Sequence, residues 1–211
     1  MITLISKQFK TNLSLFWTAL FFIISALSPY TVSGGDKMMK YFQKQFSYAQ
    51  IVFAILSLIA GVLLHFVYDW TGGNYLAGHI APVNESTWEH LKLLFFPVLF
   101  FSVFEYFYVG RLFPAFITAR TIGCTAGLLF IVVFYYSYTG ILGEHYLWMD
   151  ILSFFLGVAL CYGLTWYLTI KKEAGNLCTN IFCILFLLFL AGLFFYFTDY
   201  PPDIPLFYAM E

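Results

Sequence analysis

A surface that water would tolerate is what this sequence has too little material to build. Only 10% of its 211 residues are charged, where a soluble domain carries about 25%. Hydrophobic residues make up 62%, and the mean hydropathy is +0.84. A water-soluble globular domain is excluded on that ground. The formal net charge is −1 and no block of basic residues occurs, so the electrostatic footprint of a nucleic-acid binder is missing. Cysteine is sparse too. Cys124, Cys161, Cys178 and Cys183 lie in or beside apolar runs, so free, buried thiols are expected rather than disulfides. The chain also lacks HExxH or any comparably tight metal-ligand motif, internal repeats and low-complexity linkers.

What is present is a series of apolar blocks, several of which reach the roughly 20 residues needed to cross a bilayer. In lipid the backbone must satisfy its own hydrogen bonds, so such blocks form helices; the alternation of a membrane barrel is not seen. The expected fold is an all-α, polytopic membrane bundle. Its five core spans fall at about 47–69, 89–109, 114–138, 147–169 and 178–198, with a possible extra N-terminal apolar helix. Basic residues alternate across these spans. Lys37, Lys40 and Lys44 precede the first, Arg111 and Arg120 follow the second, and Lys171 and Lys172 follow the fourth. Segments 70–88 and 139–146 and the tail contain no Lys or Arg. The positive-inside rule therefore puts residues near 40 in the cytoplasm, and the 82–90 loop and the C-terminus outside. Lys92 is the one cation out of place. Trp70, Trp88, Tyr135, Tyr136, Tyr138 and Trp148 mark the outer headgroup region, and Tyr106, Tyr108, Trp166 and Tyr167 the inner one.

Residues 1–37 stand apart from a single helical transmembrane domain over 38–211. Leu13–Tyr30 is apolar enough to span or to form a signal-peptide core. Spanning leaves Lys7 and Lys10 outside, and cleavage forces Lys37, Lys40 and Lys44 outside, both against the charge rule. A third reading starts translation at Met38 or Met39. Gly34-Gly35-Asp36-Lys37-Met38 can be encoded by a purine-rich stretch followed by ATG, and the nucleotide sequence tests this.

Ionisable residues within or against a membrane are costly and point to function. Most collect at one end of the bundle. His65 and Asp69 are four apart on one helical face, and Pro82–Lys92 supplies Glu85, Glu89 and His90. Around them fall His79, Glu144, His145, Asp150, Asp199 and Asp203. His65, Asp69, Glu85, Glu89 and His90 are the candidate catalytic residues. His65, Asp69 and His90 are the candidate metal ligands, with a divalent ion such as zinc as the cofactor, since histidines and carboxylates in a dry pocket can hold an ion that activates water. A structural account competes. Ser86-x-x-Glu89 fits a capping box, Glu89 and Lys92 can pair three apart, and His65 and Asp69 can join helix ends. Glu105 lies seven residues before Leu112 and Arg120 eight after it, so antiparallel helices bring them to one depth as a structural ion pair. Pro97 is expected to kink the second span.

The run Pro82-Val83-Asn84-Glu85-Ser86-Thr87-Trp88-Glu89-His90-Leu91-Lys92, after His65-Phe66-Val67-Tyr68-Asp69, resembles a family of small bacterial membrane proteins of unknown function. The resemblance covers residues 47 to about 207, including Phe197-Thr198, Pro201-Pro202 and Pro205-Leu206-Phe207, and leaves out 1–37. It implies a fold and a site but no reaction. Three functional readings follow. The first is a membrane enzyme acting on a lipid-like substrate through the polar cluster. The second is a solute or proton-coupled transporter, for which the span interiors offer only Glu105 and Arg120 and no inverted repeat. The third is a non-enzymatic partner or sensor subunit. The bilayer is the expected environment, and a homo-oligomer or a membrane partner protein is compatible with each.

Overall fold

The computed structural model describes residues 36–171 and 175–209. The chain divides into two compact units, Met1–Met39 and Lys40–Glu211. Leu13–Tyr30, and with it the choice between extra span, signal core and late start, lies outside the described residues.

Among the described residues six α-helices follow one another: α1 Asp36–Trp70, α2 Tyr75–Ile80, α3 Thr87–Tyr108, α4 Phe116–Leu142, α5 Leu147–Lys171 and α6 Leu177–Asp199. All but the short α2 are long and apolar enough to cross a membrane. Local chemistry sets their ends. Gly72 and Gly73 take φ of +67° and +76° just past α1, a conformation glycine adopts without a Cβ clash. The Ser86 side chain accepts the Glu89 N–H to start α3, and Asn176 and Thr179 close a reciprocal capping box at the start of α6, satisfying otherwise orphaned donors. The five helices match the expected blocks to within a few residues, except that α1 begins at Asp36 rather than near 47. Hydropathy sees only the apolar part of a helix. The Lys- and Gln-bearing stretch before it has good helix formers and anchors itself by burying Phe46 and Ala49 against Phe113 and Phe116.

α4 and α5 make the closest helix pair. A Cβ at Gly127 would stand 2.7 Å from the Gly157 carbonyl oxygen, so small residues let the two backbones meet, as expected where lipid offers no hydrophobic drive between helices. Leu94, Phe95 and Val98 of α3, Cys124 and Ile131 of α4, Val158 and Cys161 of α5 and Phe194 of α6 form the core. α4 is the most buried of the long helices, and α1 and α6 the least. Phe182, Leu185 and Phe189 of α6 lie open on the outside, as suits a lipid environment. Cys124, Cys161 and Cys183 are buried free thiols, but Cys178 is exposed, because it sits in the first turn of α6 beyond the reach of the core.

Pro97 lies inside α3 and has no N–H to give the carbonyl of Leu93, four residues earlier. α1 approaches α3 at that carbonyl. A Cβ at Gly61 would stand 2.5 Å from Leu93 O and 2.6 Å from Phe154 Cζ. A freed acceptor and a missing side chain thus coincide, and they form the floor of a pocket.

Candidate functional site

The first turn of α3 distributes three consecutive side chains among three neighbourhoods, because adjacent helical residues diverge by about 100°. Trp88 faces the tail, stacking near Phe194, Phe197 and Phe207 with ring centroids 4.7, 5.5 and 5.0 Å away. Glu89 faces inward. It accepts from Lys92 Nζ at 2.6 Å and from the Val83 N–H at 2.9 Å. His90 faces a pocket of about 540 Å³ bounded by α1, α3, α4 and α5.

Lys92 explains the direction Glu89 takes. Its ammonium is fully buried and donates to Gly78 O at 2.8 Å, Thr198 Oγ1 at 2.7 Å and Glu89. A buried charge must be paired and hydrogen-bonded, and this one joins the α2 segment, α3 and α6. The capping box at Ser86 is accordingly only half formed. Ser86 accepts from Glu89, but the Ser86 N–H goes to Asn84 Oδ1 at 2.9 Å. Glu89 is thus turned from the pocket, and a role for it in the pocket's chemistry has no support in this geometry.

His65, Glu85 and His90 come together. Each offers a ligand atom, and the three atoms lie within 4.8 Å of one another. The His90 ring is fixed by Nδ1, which donates to Ser86 O at 2.9 Å and leaves Nε2 to face Glu85 Oε2 at 3.2 Å. A backbone bond of this kind selects the tautomer of metal-ligating histidines. The His65 ring lies 5.4 Å from that of His90, and its Nδ1 is buried with no hydrogen-bond partner among the described residues. Asp69 is exposed one turn beyond His65 and does not line the pocket. On the facing wall, His145 Nδ1 lies 3.7 Å from Asp150 Oδ2, and Asp150 Oδ1 accepts from the Tyr138 hydroxyl. Both residues stand out in the sequence as charged loop neighbours, but nothing there ties them to His65 across the bundle.

The fourth histidine is elsewhere. His79 Nε2 lies 3.4 Å from Asp199, which also accepts from the Tyr75 hydroxyl at 3.0 Å. That hydrogen bond raises the Tyr75 pKa above its ordinary value, and the group ties α2 to α6. The tail folds back beside the same end, where Ala209 bridges to Ser86.

Deeper in the bundle, Arg120 Nη2 donates to Glu105 Oε2 and to Gln50 Oε1, the latter at 3.2 Å, while Gln50 Nε2 donates to Glu105 Oε1. The guanidinium stands over the Tyr162 ring at 4.1 Å, and the Tyr162 hydroxyl pairs with Ser57 at 2.7 Å. Sequence reasoning missed Gln50, although it is the one amide in 47–69. This network fastens α1 to α3 and α4 through Arg120 Nη2, while Arg120 Nε and Nη1 are buried with no hydrogen-bond partner among the described residues.

The class of protein is therefore an all-helical bundle fitted to a multi-pass membrane setting, with a histidine–carboxylate cluster at one end. The chain belongs to a family of unknown function, DUF6512, whose family model matches residues 37–210. No curated protein and no solved structure matches it.

Proposed function

We propose that this protein is a membrane-embedded enzyme in which His65, Glu85 and His90 hold a divalent metal, zinc in the simplest case, and act on a lipid-like substrate. The observation that carries the reading is the convergence of three ligand atoms within 4.8 Å at the polar end of an otherwise apolar pocket. Three protein ligands and one open position are the pattern of catalytic zinc. Ligand atoms around such an ion stand roughly 3.3 Å apart, given bonds of about 2.0 Å, so atoms as much as 4.8 Å apart close by up to about 1.5 Å on binding. The Nδ1 of His65, without a hydrogen-bond partner among the described residues, and the Nε2 of His90, which faces Glu85 Oε2 at 3.2 Å, are imidazole nitrogens of the right type. Bound there, the ion would polarise a substrate carbonyl or phosphoryl oxygen and lower the pKa of a bound water. The distribution of Lys and Arg supports placing this end of the bundle on the outer side of a bacterial cytoplasmic membrane.

The test is elemental analysis of the detergent-purified chain after incubation with zinc and removal of the excess. One ion per chain is expected, lost in His65→Ala, Glu85→Gln and His90→Ala and kept in Asp69→Asn, which lies outside the pocket. Binding that survives all three pocket variants overturns the assignment. A wild type that takes up no zinc, iron or manganese leaves His90 and Glu85, 3.2 Å apart, as a metal-free acid–base couple.

A further inference from the structure

The pocket reaches the outside of the bundle between α1 and α5. Four of its lining residues are also exposed on the outside of the bundle: Val62 and Phe66 of α1 at 47% and 45%, and Ile151 and Phe155 of α5 at 49% and 43%. Val62 lies eight residues before the end of α1 at Trp70, and Phe155 eight after the start of α5 at Leu147. At 1.5 Å per residue, each rim reaches about 12 Å below its helix end. Counted inward from those two helix ends, the two rims lie at equal distance. Inside, the pocket is floored by Gly61, Leu93 and Phe154 and walled by Ile131, while its ionisable groups lie only at the helix-end side.

We infer that the pocket is loaded from the bilayer through the gap between α1 and α5, and that its ligand is a lipid. One hydrocarbon chain passes between Val62, Phe66, Ile151 and Phe155 to rest on the Gly61–Leu93 floor. The polar head then lies between the His65–Glu85–His90 wall and the His145–Asp150 pair. The inference deepens the enzyme reading by naming the substrate class and its route, and it rests on that reading only for the fate of the head. A water-soluble substrate is disfavoured, since a side opening lined by Val, Phe and Ile would expose it to hydrocarbon. His145 and Asp150 become head-group positioning residues. Asp150 is held from behind by Tyr138, and His145 stands across the pocket from the proposed metal.

The experiment is photolabelling of the full chain in phosphatidylcholine nanodiscs containing a trace of phosphatidylcholine with a diazirine in one acyl chain, read by peptide mass spectrometry. Adducts are expected on Leu93 and Ile131, which are only 8% and 6% exposed and lie out of reach of lipid that merely surrounds the bundle. Phe182 and Phe189 of α6, exposed at 69% and 61%, serve as the internal standard for such lipid. Val62→Trp with Phe155→Trp places bulk at the opening on already exposed positions. It should abolish the Leu93 and Ile131 adducts and leave those on α6 unchanged. Adducts confined to α6 and other exposed positions in the wild type overturn the inference, as do internal adducts that persist in the double variant. The two readings fail separately: internal adducts in a wild type that takes up no zinc would leave the route standing and remove the metal, whereas zinc uptake without internal adducts would keep the metal and remove the route.

Discussion

Replacing Lys92 by Met keeps the length and shape of the side chain and removes one buried charge. Lys92 is fully buried, and its ammonium holds Glu89, Gly78 O and Thr198 together. Without it, Glu89 keeps the Val83 N–H as a donor but loses its counter-charge. Breaking a buried pair in this one-sided way costs about 3–5 kcal/mol. At roughly 2–4 °C per kcal/mol for a chain of this size, the unfolding midpoint should fall by about 10 °C. The second half of the argument is a double variant. Glu89→Gln with Lys92→Met removes the stranded carboxylate, so it should recover part of the loss. What remains is the desolvation of Gly78 O and neighbouring groups, about 1–3 kcal/mol. The assay is thermal unfolding in detergent followed by near-ultraviolet circular dichroism, with hydrogen exchange over 75–81 reporting whether the α2 segment loosens first. A single variant that melts within experimental error of the wild type would refute the reasoning. So would a double variant less stable than Lys92→Met alone.

Further outcomes are expected elsewhere. Reversing Glu105 or Arg120 alone to the opposite charge should destabilise the bundle by about 3–5 kcal/mol, measured by the same melt. Glu105→Arg with Arg120→Glu should restore part of that loss, and no restoration would show that the pair is not what joins α3 to α4. Gly127→Leu should force α4 from α5, because even a Cβ there stands 2.7 Å from Gly157 O. The expected signature is a lower melting point and increased labelling of Cys161, which is buried in the wild type. Ser86→Ala removes the cap of α3 and should cost about 1 kcal/mol. It should not abolish zinc uptake, since His90 is held by the Ser86 backbone carbonyl rather than by the side chain.

The five long helices were readable because lipid turns a tertiary question into one of length. Each run of some 20 apolar residues has only helix open to it. The beginning of α1 was not readable, because a polar helical extension has no hydropathy signature. At the candidate site, the Pro82–Lys92 run offers both Glu89 and His90 but cannot say which of them faces the pocket. That choice is made by Lys92, whose burial claims Glu89 through contacts 14 and 106 residues away in the chain, at Gly78 and Thr198. His65 and Asp69 share a face by spacing. Yet α1 ends there, and the last turn carries Asp69 past the pocket rim. Gln50 went unremarked because one amide in an apolar run reads as noise until Glu105 and Arg120 are placed opposite it.

The first turn of α3 has a further consequence, for changes in chain length. Inserting one residue between Ser86 and His90 would leave a helix still long enough to cross a membrane. It would nonetheless rotate everything after it by about 100°. His90 would leave the pocket, Lys92 would leave its acceptors, and Pro97 would free a carbonyl that no longer faces Gly61. The turn at Gly72 and Gly73, by contrast, follows the end of α1 and leads to an asparagine-capped helix that starts afresh at Tyr75, so an added residue there rotates nothing. Drift in loop length among chains that keep this architecture should therefore collect near residues 71–74 and stop short of 86–97, where the chain acts as a gear whose teeth must stay in register.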